Sequence, residues 1–191
     1  MKAVLLQIGL ASLGFTLLVG CSTAPTTTDQ RTSLHDNATD SLKAMDNIDP
    51  GFRDMRHDAY AYAVFPTVGK GGLGLGGAYG HGEVYEHGAF VGFANLSQAT
   101  IGAQIGGQTY TEVILFQTPE ALHRFESGQL AFDANASAVA LESGAGASAK
   151  YDHGISVIVH PLGGLMLEAS IGGQSFNYEP ASAVQTVSQA D

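Results

Sequence analysis

The run from Lys70 to Gly82, Lys-Gly-Gly-Leu-Gly-Leu-Gly-Gly-Ala-Tyr-Gly-His-Gly, narrows the folds open to this chain more than any other stretch. Glycine inside a helix costs about 1 kcal/mol per residue relative to alanine, so a helix here would forfeit several kcal/mol. Strand is the remaining regular state. Glycines then fall where two backbones approach closely or where a bulge interrupts the ladder. Leu73, Leu75 and Tyr79 are the apolar residues set among them.

Apolar spacing sorts the flanking sequence. From Ser33, the residues Leu34, Ala38, Leu42, Met45 and Ile48 recur at steps of three and four, which predicts a helix with one apolar face. Asp49-Pro50 supplies an N-cap and first-turn pair for a second helix carrying Phe52, Met55 and Ala59. Ala61 to Phe65 reads as a short strand ended by Pro66, which has no N–H for a ladder. Glu83 to Tyr85 and Ala89 to Leu96 read as two arms joined by a turn at Glu86-His87-Gly88, followed by strands at Gln98 to Gln104 and Gln108 to Phe116. Thr118-Pro119-Glu120 opens a third helix, with Ala121, Leu122 and Phe125 inward and Gly128 as its stop. Between Ala131 and Ala149 strand and helix both remain open. Ile155 to Val159, Leu165 to Ser170 and Ser175 to Tyr178 complete the strands. Ile105-Gly-Gly-Gln-Thr-Tyr and Ile171-Gly-Gly-Gln-Ser-Phe echo one another and suggest two similar turns. The sum is an α+β fold: a largely antiparallel β-sheet, or a barrel-like sheet, with N-terminal helices and one inserted helix.

The first residues carry an address. Lys2 is followed by an apolar run from Ala3 to Val19 and then Leu18-Val19-Gly20-Cys21, the layout of an export signal. Leu-Val-Gly-Cys resembles the site at which bacterial lipoproteins receive a diacylglycerol thioether, so Cys21 is the expected lipid attachment point and first mature residue. The alternative is an uncleaved membrane-spanning anchor, for which about 18 apolar residues suffice. Against it, Cys21 is the chain's one cysteine and sits where a lipobox needs it, with the polar, Thr/Pro-rich Ser22 to Gln30 behind it. The expected organisation is a signal peptide at 1–20, a lipidated tether at 21–32, a domain at 33–180 and a loose tail at 181–191. Ser22 after the cysteine favours the outer membrane, periplasmic face, with the inner membrane as the alternative.

Without residues 1–20 the chain carries seven basic against 18 acidic residues. Such an acidic balance argues against nucleic acid as a partner and against bulk attraction to an anionic membrane. With Cys21 lipidated, no thiol is left for a disulfide, a zinc-thiolate site or a nucleophile.

Lys70, between Gly69 and Gly71, is the first candidate for a headgroup contact, as a cation beside an amide nest. Arg53 and Arg56 on the second helix are candidates to join it. Gly72-x-Gly74-x-x-Gly77 matches a dinucleotide fingerprint only in spelling, since no helix opens within it. His81, Glu83, Glu86 and His87 crowd one hairpin, where a solvated turn explains them better than a metal. Ser97 with His153 or His160 lacks a nucleophile elbow. No catalytic residue, metal or cofactor is therefore expected.

Four segments carry a family resemblance: Ala63-Val-Phe-Pro, Lys70-Gly-Gly-Leu-Gly-Leu-Gly-Gly-Ala-Tyr-Gly, Leu96-Ser-Gln-Ala-Thr-Ile-Gly-Ala-Gln-Ile-Gly-Gly-Gln and Gly164-Leu-Met-Leu-Glu-Ala-Ser-Ile-Gly-Gly-Gln. In this order they resemble the SYLF domain, a lipid-binding family found in bacterial lipoproteins and in eukaryotic membrane-trafficking and actin-patch proteins. The resemblance implies membrane phospholipids as partners, with actin filaments a partner of some fungal members, and it implies no catalysis. Eukaryotic phosphoinositide binders look more basic, whereas Ser33 to His57 here sets Asp36, Asp40, Asp46, Asp49 and Asp54 against Lys43, Arg53 and Arg56. The second reading is a structural or protein-interaction module with an envelope protein as its partner.

Overall fold

The computed structural model describes residues 25–133, 138–140 and 150–182. The expected signal peptide, Cys21 and all but the first two residues of the expected tail lie outside them.

Helix α1 (Thr28–Ile48) starts within the stretch expected to be tether. A capping box explains the early start: the Thr27 hydroxyl accepts from the Gln30 amide at 3.2 Å, and the Gln30 side chain accepts from the Thr27 amide at 3.3 Å. Leu34, Ala38, Leu42 and Met45 form its buried stripe. In α2 (Pro50–Asp58) the Asp49 side chain caps the Gly51 amide and Phe52 is fully buried.

Three long strands follow in place of the shorter pieces expected from sequence: β1 (Ala61–Glu86), β2 (Ala89–Phe116) and, after helix α3 (Pro119–Glu126), β5 (Ile155–Pro180). Between α3 and β5, short β3 (Ala131–Asp133) and β4 (Ala138–Ala140) settle as strand two pieces of the segment left open. The order is β1-β2-β5-β3, antiparallel throughout that path, with β4 parallel to β5. The sheet is open and not a closed barrel, with α-helices beside it as an α+β fold.

Pro66 does not end its strand. The register shifts between Phe65 and Val68, so the chain passes Pro66 without needing an N–H there, and the Pro66 carbonyl accepts from the Thr111 hydroxyl at 2.9 Å. The two Ile-Gly-Gly-Gln segments are not turns either. Both lie inside strands, where Ile105 pairs with Leu167 and Ile171 with Ile101. The β1–β2 connection is the turn expected, with His87 and Gly88 both at positive φ, 49° and 77°.

The long strands bend back on themselves. The His87 amide donates to the Tyr60 carbonyl at 3.0 Å, and the Tyr62 and Tyr85 rings stack at 4.9 Å, so both ends of β1 meet. The bend lies between Leu73 and Leu75, where the register shifts and Gly74 has φ 73°. A Cβ on Gly82 would come within 2.6 Å of the Phe65 ring and of the Val64 carbonyl, so the run of glycines lets one half of β1 lie against the other. Neighbouring β2 bends at the same level, with a matching shift between Ile101 and Ile105.

Two cores result. Inside the fold, Ala63, Phe65, Val84, Leu96, Ile114 and Phe116 meet Phe176 and the α3 residues Leu122 and Phe125. The Phe125 ring lies 5.1 Å from both Phe116 and Phe176. Outside it, Tyr62, Val64, Tyr85, Val113, Leu115 and Ile158 are covered by Ala38, Leu42 and Met45 of α1 and Phe52 of α2. Full burial of a side chain such as Met45 or Phe52 contributes about 1.5–3 kcal/mol, which docks the helices firmly.

Candidate functional site

The sheet arranges its interior by polarity. Away from the bend it is aliphatic and aromatic; toward the bend it turns polar. Glu112 stands opposite Phe65 in the register and is 1% exposed. The Gln174 side-chain amide donates to its Oε2 at 2.9 Å, while Oε1 has no hydrogen-bond partner among the described residues. Burial pushes the Glu112 carboxyl up to about 7, against the Gln174 hydrogen bond and the Lys70 charge, which hold it down. Gln98, paired with Gln174 across β2 and β5, is also buried, and its Nε2 has no hydrogen-bond partner among the described residues. Closer to the bend, the Thr100 hydroxyl donates to Gln104 Oε1 at 2.8 Å, and Gln104 Nε2 donates to the Thr100 and Gly74 carbonyls at 3.3 and 3.4 Å.

Lys70 sits half-buried where this polar interior reaches the surface. Gly69, Lys70 and Gly71 are strand, registered with Thr109, Gln108 and Gly107, so the expected amide nest is not formed. A ladder turns successive amides to opposite sides, whereas a nest makes them converge. What forms instead is a surface concavity of about 480 Å³ lined by Gly69, Lys70 and Gly71 of β1, Gly107, Gln108 and Thr109 of β2, and Gly163 and Gly164 of β5. Its walls are mostly backbone.

The arginines do not join Lys70. Arg56 Nη2 meets Asp46 Oδ2 at 2.7 Å and its guanidinium lies 5.4 Å from the Tyr62 ring centre. Arg53 is exposed and pairs with Asp54 at 3.7 Å. Eight residues of strand separate Tyr62 from Lys70, about 26 Å at ~3.3 Å per residue, too far for one phosphate to bridge. Arg56 ties α2 to α1 and to the sheet.

The hairpin His/Glu group is likewise dispersed. His81 and Tyr79 share the outer face, with their rings 5.1 Å apart. Glu83 is buried, accepting from the Tyr85 hydroxyl at 2.5 Å and lying 3.2 Å from His35 Nδ1. Burial first and the Glu83 contact second push the Tyr85 phenol well above its usual range. Glu86 accepts instead from the Tyr60 hydroxyl. Ser97 lies opposite Tyr79 and Ser175, whereas His160 lies opposite Thr111 and His153 sits exposed in a turn beside Asp152.

Sequence reasoning missed the interior polar group and a set of exposed aliphatics at the bend, Leu73, Leu75, Ile101 and Ile105, which are 77%, 69%, 65% and 58% exposed. A carboxylate at an inward strand position was the available signal for Glu112. For the aliphatics there was none, because apolar strand residues are read as core.

No curated protein matches the chain. A family model described as "Ysc84: Las17-binding protein actin regulator" matches residues 97–179, which take in most of β2, α3 and nearly all of β5. The motifs at Ala63 to Pro66 and Lys70 to Gly80 lie ahead of that segment, on the strand hydrogen-bonded to it. Residues 97–179 of this chain match the Ysc84 (SYLF) family, the family that its motifs resemble.

Proposed function

We propose that the chain is a membrane-anchored, non-catalytic lipoprotein whose folded domain binds phospholipid or a lipid-like amphiphile. One observation carries the reading: three strands form a glycine-walled concavity with Lys70 on its rim. Glycine backbone lets a headgroup approach without side-chain obstruction, and a single ammonium suits a phosphate as a point charge. The Ysc84 match over residues 97–179 supports a lipid- or partner-binding role, its description naming Las17 binding for the family. Anchorage through an acylated Cys21 rests on the Leu-Val-Gly-Cys sequence, and residence at the periplasmic face of the outer membrane on Ser22. Two or more acyl chains hold a protein stably at a bilayer, each buried methylene adding about 0.8 kcal/mol.

The test has two arms. Mass spectrometry of the chain isolated from its membrane should find Cys21 acylated. Native mass spectrometry and flotation with phosphatidylethanolamine, phosphatidylglycerol and cardiolipin vesicles should find bound lipid, and Lys70→Ala should lower lipid occupancy without changing the fold. A chain that retains no lipid, or a Lys70→Ala variant that retains it fully, overturns the headgroup site; crosslinking to an envelope protein in place of lipid would transfer the role to a protein partner.

A further inference from the structure

The bend of the folded sheet is an apolar apex. Leu73 pairs with Ile105 and Leu75 with Ile101 in the β1–β2 register, so four large aliphatic side chains, each more than half exposed, project from one end of the molecule. In the third strand Leu167 is registered with Ile105 and Ile171 with Ile101. Leaving such side chains in water is costly, and contiguous exposed apolar surface marks an interaction site. We infer that this apex is a membrane-insertion tip, which enters the boundary between headgroups and acyl chains of a phospholipid bilayer.

Charge selects this occupant. The chain carries 18 Asp and Glu, yet none occurs from Ala59 to Gly82 or from His87 to Thr111. Glu168, registered with Gln104, is the one carboxylate among the β5 residues registered with the bend. The nearest cation in sequence is Lys70, at the concavity three residues before Leu73. An otherwise acidic molecule therefore has one end depleted of the carboxylates that a phosphate surface repels.

Backbone satisfaction agrees. Amides and carbonyls entering an apolar phase must already be paired. Strand β2 meets that demand at the bend through its β5 partners, and the Gly74 carbonyl accepts from internal Gln104 at 3.4 Å; β1 and β5 are edge strands there, so the depth reached is the hydrated headgroup boundary and not the hydrocarbon. Area argues against a second copy: a stable protein interface takes about 20–30 residues a side, and four side chains on a convex apex fall far short.

The inference rests on the membrane reading above, and one preparation tests both separately. The chain has no tryptophan, so Leu75→Trp and Phe90→Trp each create a single tryptophan that can be excited apart from the tyrosines, one at the apex and one beside the opposite β1–β2 turn. The full chain is reconstituted into phosphatidylethanolamine/phosphatidylglycerol vesicles with brominated acyl chains. Trp at position 75 should shift to the blue and lose most of its emission to bromine, while Trp at position 90 keeps its own. An Ile105→Trp reporter should be quenched likewise, and should escape quenching when Leu73→Ser and Leu75→Ser are added. Flotation with no bromine quenching at position 75 overturns the insertion tip and leaves the anchor standing. A chain that does not float overturns both. A blue shift at position 75 without bromine quenching means that protein covers the apex, and this also overturns the tip.

Discussion

Arg53 and Arg56 stand three residues apart on α2 and do different work. Arg56 and Asp46 have side chains 13% and 19% exposed, and Asp46 Oδ1 has no hydrogen-bond partner among the described residues, so removing the guanidinium from Oδ2 strands a largely buried carboxylate. Arg56→Ala should cost about 2–4 kcal/mol in urea unfolding, while Arg53→Ala, paired only at the surface, should stay within about 0.5 kcal/mol. Equal costs would mean that Arg56 is no strut. Glu112 makes a pH prediction. Its folded pKa of about 7 lies above the ordinary 4.5, so between these values the unfolded chain has released a proton that the folded chain keeps. Stability from this residue is thus fully present below about pH 4.5 and is lost as pH rises through about 7, an effect of about 3 kcal/mol at most. Glu112→Gln cannot titrate and keeps the shape, so it should flatten the fall in melting temperature over that window and leave the variant more stable than the parent at pH 8. Parallel curves for the two proteins would refute the assignment.

The helices could be read from sequence and the strand lengths could not. Thr118, Pro119 and Gly128, or Asp49 and Pro50, are local signals whose chemistry acts within one turn, and the structure places each as expected. Pro66 and the Ile-Gly-Gly-Gln segments are also local signals, but a neighbouring strand decides them: a bulge absorbs Pro66, and register partners hold both glycine pairs in extended chain. For the same reason Lys70 was found as a surface cation while its field on Glu112 was not, since 42 positions of sequence separate them. The fold-back of β1 gives an element-scale prediction. Gly82→Ala would force a methyl into Val64 and Phe65 and should cost about 1–3 kcal/mol. At Gly69 a Cβ meets nothing within 4 Å, so Gly69→Ala should be tolerated within about 0.5 kcal/mol. A neutral Gly82→Ala would mean that the two halves of β1 are not held together.

The molecule as a whole is acidic, with a formal charge of -10, and its apex is not. At low ionic strength the body should be repelled by phosphatidylglycerol more than by phosphatidylethanolamine, so vesicle binding should favour the zwitterionic lipid. The gap should close toward 1 M salt, where the screening length falls to about 3 Å. A preference for phosphatidylglycerol that weakens with salt would instead place a basic surface in control. The shape also has a history. Pairing of β1 with β2 begins beside the turn, at Glu86 and Ala89, and ends at Ala61 and Phe116, so contacts of increasing separation can form in order from one local seed. Loops that close in small steps cost less entropy than one large closure, and β5 can add to an edge already laid down. Gly88, at φ 77°, then sets the pace as well as the geometry: Gly88→Ala should slow refolding several-fold while barely altering the unfolding rate. The hairpin would act as a zipper whose slider starts at His87, so that the apex, midway along both strands, closes before the two ends of β1 can meet.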